Sequence, residues 1–118
     1  MPEKSILIID NDKIILDSVC GFLEAEGFKT DGVETFKAAL SKLEDNRYNL
    51  VITDINLPDG DGHEILDLVK NKHPQTVSIV ITGYGTIESA VTSIKRGAHD
   101  YLTKPIIDDE LRMAIAKA

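Results

Sequence analysis

The chain has 118 residues, 42% of them hydrophobic and 28% charged, with a formal net charge of −7 and a single cysteine. That length suits one domain, able to bury roughly two thirds of the surface its unfolded chain would expose without a disulfide staple. The acidity excludes a grip on a nucleic-acid backbone, which needs clustered positive charge, and the first apolar run, Ile6-Leu7-Ile8-Ile9, is too short for a membrane span or signal peptide. A soluble cytoplasmic domain is expected, with neither nucleic-acid nor membrane contact of its own.

Ser5 to Ile9 reads as a first strand and ends in Asp10-Asn11-Asp12. From Lys13 to Glu26 the apolar residues Leu16, Val19, Cys20 and Leu23 recur at helical spacing, with Asp12 as N-cap, Gly27 as stop and Cys20 as a small core residue. Phe28 to Asp31 is a short, weak second strand. Thr35 to Asp45 carries Phe36, Ala39, Leu40 and Leu43 on one helical face. Leu50-Val51-Ile52-Thr53-Asp54 is an apolar, β-branched run suited to a buried central strand, and it stops abruptly in a carboxylate. The turn Leu57-Pro58-Asp59-Gly60-Asp61-Gly62 follows. Ile65, Leu68 and Val69 mark a third helix that must end before Pro74. Val77 to Ile81 is a fourth strand, ending in Thr82-Gly83-Tyr84-Gly85. Ile87, Ala90, Val91 and Ile94 give a fourth helix closed by Gly97, with its apolar residues expected mostly in the core. Tyr101-Leu102-Thr103 is a fifth strand ending in Lys104-Pro105, and Leu111, Ala114, Ile115 and Ala118 begin a fifth helix without a stop signal. A longer chain is expected, with residues 1–118 as its N-terminal part.

Strand and helix thus alternate five times, through connections suited to parallel crossovers rather than hairpins. The expected fold is α/β: a five-stranded, doubly wound parallel sheet of flavodoxin-like order 2-1-3-4-5, with helices on both faces. Ligand chemistry in such sheets gathers at the carboxyl ends of the strands, around the switch between the first and third.

Those ends carry the candidate chemistry. The first strand delivers Asp10, Asn11 and Asp12, the third Asp54, the fourth Thr82 and the fifth Lys104. Two carboxylates about 5 Å apart at an effective dielectric near 20 repel by about 3 kcal/mol, so a cation is required. Mg²⁺ suits an oxygen-only donor set better than Zn²⁺, because no Cys or His pair stands nearby; His63, His73 and His99 are scattered and read as surface or packing residues. A carboxylate nucleophile, a divalent cation, a hydroxyl and an ammonium together can handle a phosphoryl group. Asp54 is the candidate nucleophile.

Ile8-Ile9-Asp10, Asp54-Ile55-Asn56-Leu57-Pro58 with Gly62, Ile81-Thr82-Gly83, and the run Gly97 to Pro105 together resemble the receiver domain of two-component response regulators over essentially the whole chain. The resemblance implies that Asp54 accepts a phosphoryl group from the phosphohistidine of a sensor histidine kinase or phosphotransfer protein. It implies that Asp10 and the main-chain carbonyl of Asn56 hold Mg²⁺ with Asp54, that Thr82 and Lys104 bond the phosphoryl group, and that Tyr101 swings inward on activation. It further implies a cis bond before Pro105, a signalling phosphoacceptor rather than an enzyme acting on other substrates, a homodimer, and a C-terminal output domain, most similar to those of transcription activators. The docking surface would lie on the fourth helix, fifth strand and fifth helix, with Tyr84 and Tyr101 among its candidates. Where the family usually has a second acidic metal ligand, this chain has Asn11, so weaker Mg²⁺ binding is expected unless Asp12 turns inward.

Three other readings compete. A calcium loop over Asp54 to Glu64 fails, because Pro58 stands where a ligand is needed and a strand where a helix is. A phosphatase would require a second acid and a substrate cap, for which the chain has no insertion. A degenerate receiver, serving as a docking module that is never phosphorylated, is raised by Asn11 alone.

Overall fold

In chain order the elements are β1 (Ser5–Ile9), α1 (Lys13–Ala25), β2 (Lys29–Val33), α2 (Phe36–Asp45), β3 (Leu50–Asp54), β4 (Asn56–Leu57) and β5 (Gly60–Asp61). They continue with α3 (Gly62–Lys72), β6 (Val77–Thr82), α4 (Ile87–Lys95), β7 (Ala98–Thr103) and α5 (Asp108–Lys117). This computed structural model describes residues 4–83, 85 and 87–118. Five strands form one parallel sheet in the order β2-β1-β3-β6-β7, which is the doubly wound arrangement expected from the alternation of patterns. The short β4 and β5 pair antiparallel inside the turn after β3, a hairpin too brief to leave a periodic signal.

Alternation along the strands divides the core between the two faces of the sheet. Ile6, Ile8, Ile52, Ile79 and Ile81 meet Leu16, Val19 and Leu23 of α1 and Leu111 and Ala114 of α5. Leu7, Ile9 and Val51 point the other way, onto Ala39 and Leu43 of α2 and Ile65 and Val69 of α3. Strand β3 is buried along its whole length, as its run of β-branched residues requires. Gly27 and Gly97 follow α1 and α4 at φ of 95° and 107°, a left-handed conformation that ends each helix at little steric cost.

Helix α4 departs from its pattern. Ile87, Val91 and Ile94 were expected in the core, but they are 86%, 46% and 50% exposed. The helix lies with its apolar side outward, and its inward side carries Ala90 and Ser93. Periodicity identified the helix correctly and assigned the wrong side to the interior. Among the described residues no helix is long and apolar enough to cross a membrane.

These orientations set two opposite stability outcomes in urea unfolding. Ile52→Ala, at a position 1% exposed, is expected to cost about 2–5 kcal/mol, whereas Ile87→Ala should stay within about 0.5 kcal/mol of the parent.

Candidate functional site

Strand register builds the site. Ile9 pairs with Thr53, so Asp10 leaves β1 level with Asp54 at the end of β3. Asp54 pairs with Ile81, and Thr82 with Thr103, so Thr82 and Lys104 complete the same rim from β6 and β7. Asp10, Asp54 and Thr82 are all buried, at 3%, 7% and 1% exposure.

The Lys104 ammonium sits between the two carboxylates. Its Nζ lies 2.9 Å from Asp54 Oδ2 and 3.0 Å from Asp10 Oδ2. The backbone holds the lysine in place: its N–H donates to the carbonyl of Thr82 at 2.8 Å, and the following bond to Pro105 is cis, as the resemblance implied. Burial pulls the ammonium's pKa down, but its hydrogen bonds to Asp54 and Asp10 outweigh that, and the net direction is up. Asp10 is not fully compensated. Burial raises its carboxyl above the usual 3.8, against the lowering effects of the Asp12 N–H and of Lys104.

The loops fix the remaining geometry. The Asp12 N–H donates to Asp10 Oδ1 at 2.8 Å, while Asp12's own Oδ1 accepts from the N–H groups of Ile14 and Ile15 at 3.0 and 3.3 Å. Of the two roles expected for Asp12, the structure displays the N-cap; that carboxylate oxygen is turned to the first turn of α1 rather than to Asp54. Asn11 is exposed beside it. The Asn56 N–H donates to Asp54 Oδ1 at 3.1 Å, which orients the carboxylate from its own loop. Gly62 is demanded by close approach, since a Cβ there would fall 2.1 Å from the Asp54 carbonyl oxygen. Tyr101 packs against the cluster of Leu66, Val80 and Ala98, with its hydroxyl buried and without a hydrogen-bond partner among the described residues. Tyr84 lies outside the described residues.

Among the described residues no three His, Cys, Asp or Glu side chains converge, so the anionic donors are Asp10 and Asp54. Two carboxylates facing one ammonium leave a local charge of −1, and Asp10 is the uncompensated member. An oxygen-lined, net-negative pocket of this kind fits a hard divalent cation such as Mg²⁺.

Comparisons with known proteins bear on the family and the fold. The family model described as the response regulator receiver domain matches residues 6–116. The chain belongs to the response regulator receiver family. The nitrogen assimilation regulatory protein NtrX of Azorhizobium caulinodans is 39% identical over 115 residues, covering 96% of this chain and 25% of that protein. The chain therefore spans about a quarter of that relative's length. A CheY-like receiver from Methanospirillum hungatei superposes with a TM-score of 0.93 at 37% identity, covering 98% of this chain and 93% of the other. The beryllofluoride-activated NtrC4 receiver domain dimer gives 0.90 at 34% identity, covering 96% and 93%.

Two tertiary contacts of this receiver escaped the sequence. Asp59 reaches α2, where its carboxylate oxygens accept from the N–H groups of Phe36 and Lys37 at 2.7 and 3.0 Å, and these bonds hold its carboxyl below the usual range. The tip of the loop between β3 and α3 is thereby tied to a helix 22 residues upstream. His63, read as a surface or packing residue, bridges Asp61 and Ser93. Phe36, Lys37 and Ser93 lie 22 to 30 residues from these side chains, beyond any spacing that a local pattern could show.

Because Asp10's carboxyl is raised in the fold, its favourable contribution is full below 3.8 and is lost as pH rises through the higher folded value. At neutral pH the ionised group is a cost. Asp10→Asn at pH 7 with a chelator is therefore expected to unfold at higher urea than the parent, with the gap closing below about pH 4. Added MgCl₂ should raise the midpoint of the parent and leave the variant unmoved.

Proposed function

We propose that this receiver is a phosphorylation-activated switch in which Asp54 accepts a phosphoryl group from the phosphohistidine of a sensor histidine kinase or phosphotransfer protein. The observation that carries the reading is the buried contact of Asp54 Oδ2 with Lys104 Nζ at 2.9 Å, with Asp10 on the same ammonium. An Asp54 carboxylate oxygen attacks phosphorus in line, the bond from phosphorus to the imidazole nitrogen breaks, and the electron pair leaves with the imidazole. An acyl phosphate results, and Lys104 neutralises part of the negative charge on its oxygens. Asp10, Asp54 and the carbonyl of Asn56 are the residues to hold Mg²⁺, which supplies further charge neutralisation when bound. Asn11 contributes no charge to that set, and Asp12, engaged in its cap, adds at most an outer-sphere influence.

The phosphoryl group adds about 1.5 to 2 negative charges at Asp54. Thr82 and Lys104 are the groups placed to answer it, and Tyr101 is the aromatic that passes the change on. Among the described residues the buried hydroxyl of Tyr101 has no hydrogen-bond partner, so none of them anchors the ring through a polar contact. The readout surface is that of α4, β7 and α5, where Ile87, Val91, Ile94 and Met113 are exposed. A second copy of the chain is the proposed occupant of part of it, in accord with the dimeric NtrC4 receiver, and a C-terminal output domain acting in transcription is the proposed target, in accord with a relative about four times the length of this chain. Moving such a switch from almost wholly off to almost wholly on requires about 5.5 kcal/mol of differential stabilisation. The second reading, a docking module never phosphorylated, is favoured by the uncharged Asn11.

Incubation with acetyl phosphate and MgCl₂, read by intact mass, separates the two. The expected result is one phosphoryl group on the parent and none on Asp54→Asn or in the presence of a chelator. Labelling that persists in Asp54→Asn would assign another acceptor, and an unlabelled parent would favour the docking module.

A further inference from the structure

Helix α4 has an unusual attachment. No residue of this helix belongs to any of the three apolar clusters that make up the described core. Its one fully buried residue is Ser93, 0% exposed, a hydroxyl where packing alone would favour an aliphatic side chain. That hydroxyl meets His63 Nε2 at 3.2 Å. The other ring nitrogen, Nδ1, lies 3.2 Å from Asp61 Oδ1, which also accepts the His63 backbone N–H at 2.8 Å as the cap of α3. A serine hydroxyl both donates and accepts, so it pairs with Nε2 in either tautomer of the ring. One turn further on, the Arg96 guanidinium forks onto the Asp67 carboxylate, with Nε at 3.1 Å from Oδ1 and Nη2 on Oδ2. The latter pair is a third to nearly half exposed, so solvent screens it. The His63 side chain is only 12% exposed, so the His63–Ser93 bond is better protected from solvent than the Arg96–Asp67 pair.

We propose that the His63–Ser93 hydrogen bond is a latch that holds α4 on α3 and sets how readily that helix leaves its resting position. Apolar interdigitation is given up at the cost of a cavity, whereas a buried hydrogen bond between two helices is given up when its partners exchange it for water. The seat of the latch adjoins the acceptor. Helix α3 begins at Gly62, which abuts the Asp54 carbonyl and donates its N–H to Ile55 at 2.7 Å, so His63 stands one residue from the backbone that would respond to a modified Asp54. The Ser-His-Asp chain does not suit hydrolysis, because Ser93 is closed to any substrate. The regulatory meaning of the latch rests on the switch reading above; its mechanical part does not.

Hydrogen exchange of the full chain tests it, with Ser93→Ala, His63→Ala and the double variant. Each single substitution should speed exchange of the α4 amides about tenfold, the equivalent of about 1.4 kcal/mol and the size of one net hydrogen bond. The double variant should go no further, and α1 and β3 should be unchanged. Under acetyl phosphate the labelled fraction at Asp54 should rise in the same variants, by the reciprocity of linked equilibria. Unchanged α4 exchange in both single variants overturns the latch, as does a uniform rise that includes α1 and β3. Exchange needs no phosphoryl donor: a parent never labelled at Asp54 refutes the switch alone, while a labelled parent whose α4 amides ignore both substitutions refutes the latch alone.

Discussion

Two carboxylates share one ammonium at the carboxyl edge of the sheet, and the working parts of the domain are arranged around that imbalance. At an effective dielectric near 20, each contact of about 3 Å between Lys104 and a carboxylate is worth on the order of 5 kcal/mol, against about 3 kcal/mol of repulsion between carboxylates about 5 Å apart. Attraction exceeds repulsion, and this lets the first and third strands end side by side in aspartate. Desolvation takes back much of the surplus, as the raised carboxyl of Asp10 records. The cluster thus keeps a net negative charge, which suits a divalent cation.

The loop between β3 and α3 converts this electrostatic arrangement into a defined shape. Asp54 accepts from Asn56, Asp59 caps α2, and Asp61 caps α3, so three carboxylates within eight residues each satisfy backbone N–H groups. Gly62 closes the loop against the Asp54 carbonyl, where no side chain fits. Asp54 is consequently held from its own loop and from the lysine across the sheet. Helix α4 contributes no residue to the described apolar clusters, whereas α1, α2, α3 and α5 all do.

Much of this was legible from residues alone, for identifiable reasons. Strands buried on both faces write continuous β-branched runs, and helices that cover them write a 3.6-residue period, so the order of elements and the sheet topology follow from local pattern. Parallel strands also send their ends to one edge, which made Asp10, Asp54, Thr82 and Lys104 a candidate constellation before any distance was known. What local pattern could not convey was the tertiary use of polar groups. Asp59 looked like a turn former and His63 like a packing residue, because their partners are 22 and 30 residues away. The apolar stripe of α4 was misread for a related reason: periodicity reports that a helix has an apolar side, but not whether that side meets the domain's own core or another surface. Asp12 was given two roles by its position, and the hydrogen bonds display the cap.

The central claim, that Asp10 and Asp54 form an under-compensated oxygen site for a divalent cation, is tested most directly by calorimetric titration of Mg²⁺ into the chain and two variants. The account predicts a saturable one-to-one isotherm for the parent, loss of that isotherm in Asp10→Asn, and tighter binding in Asn11→Asp, where the missing acidic ligand is restored. A parent that takes up no Mg²⁺, or an affinity indifferent to both substitutions, would contradict it.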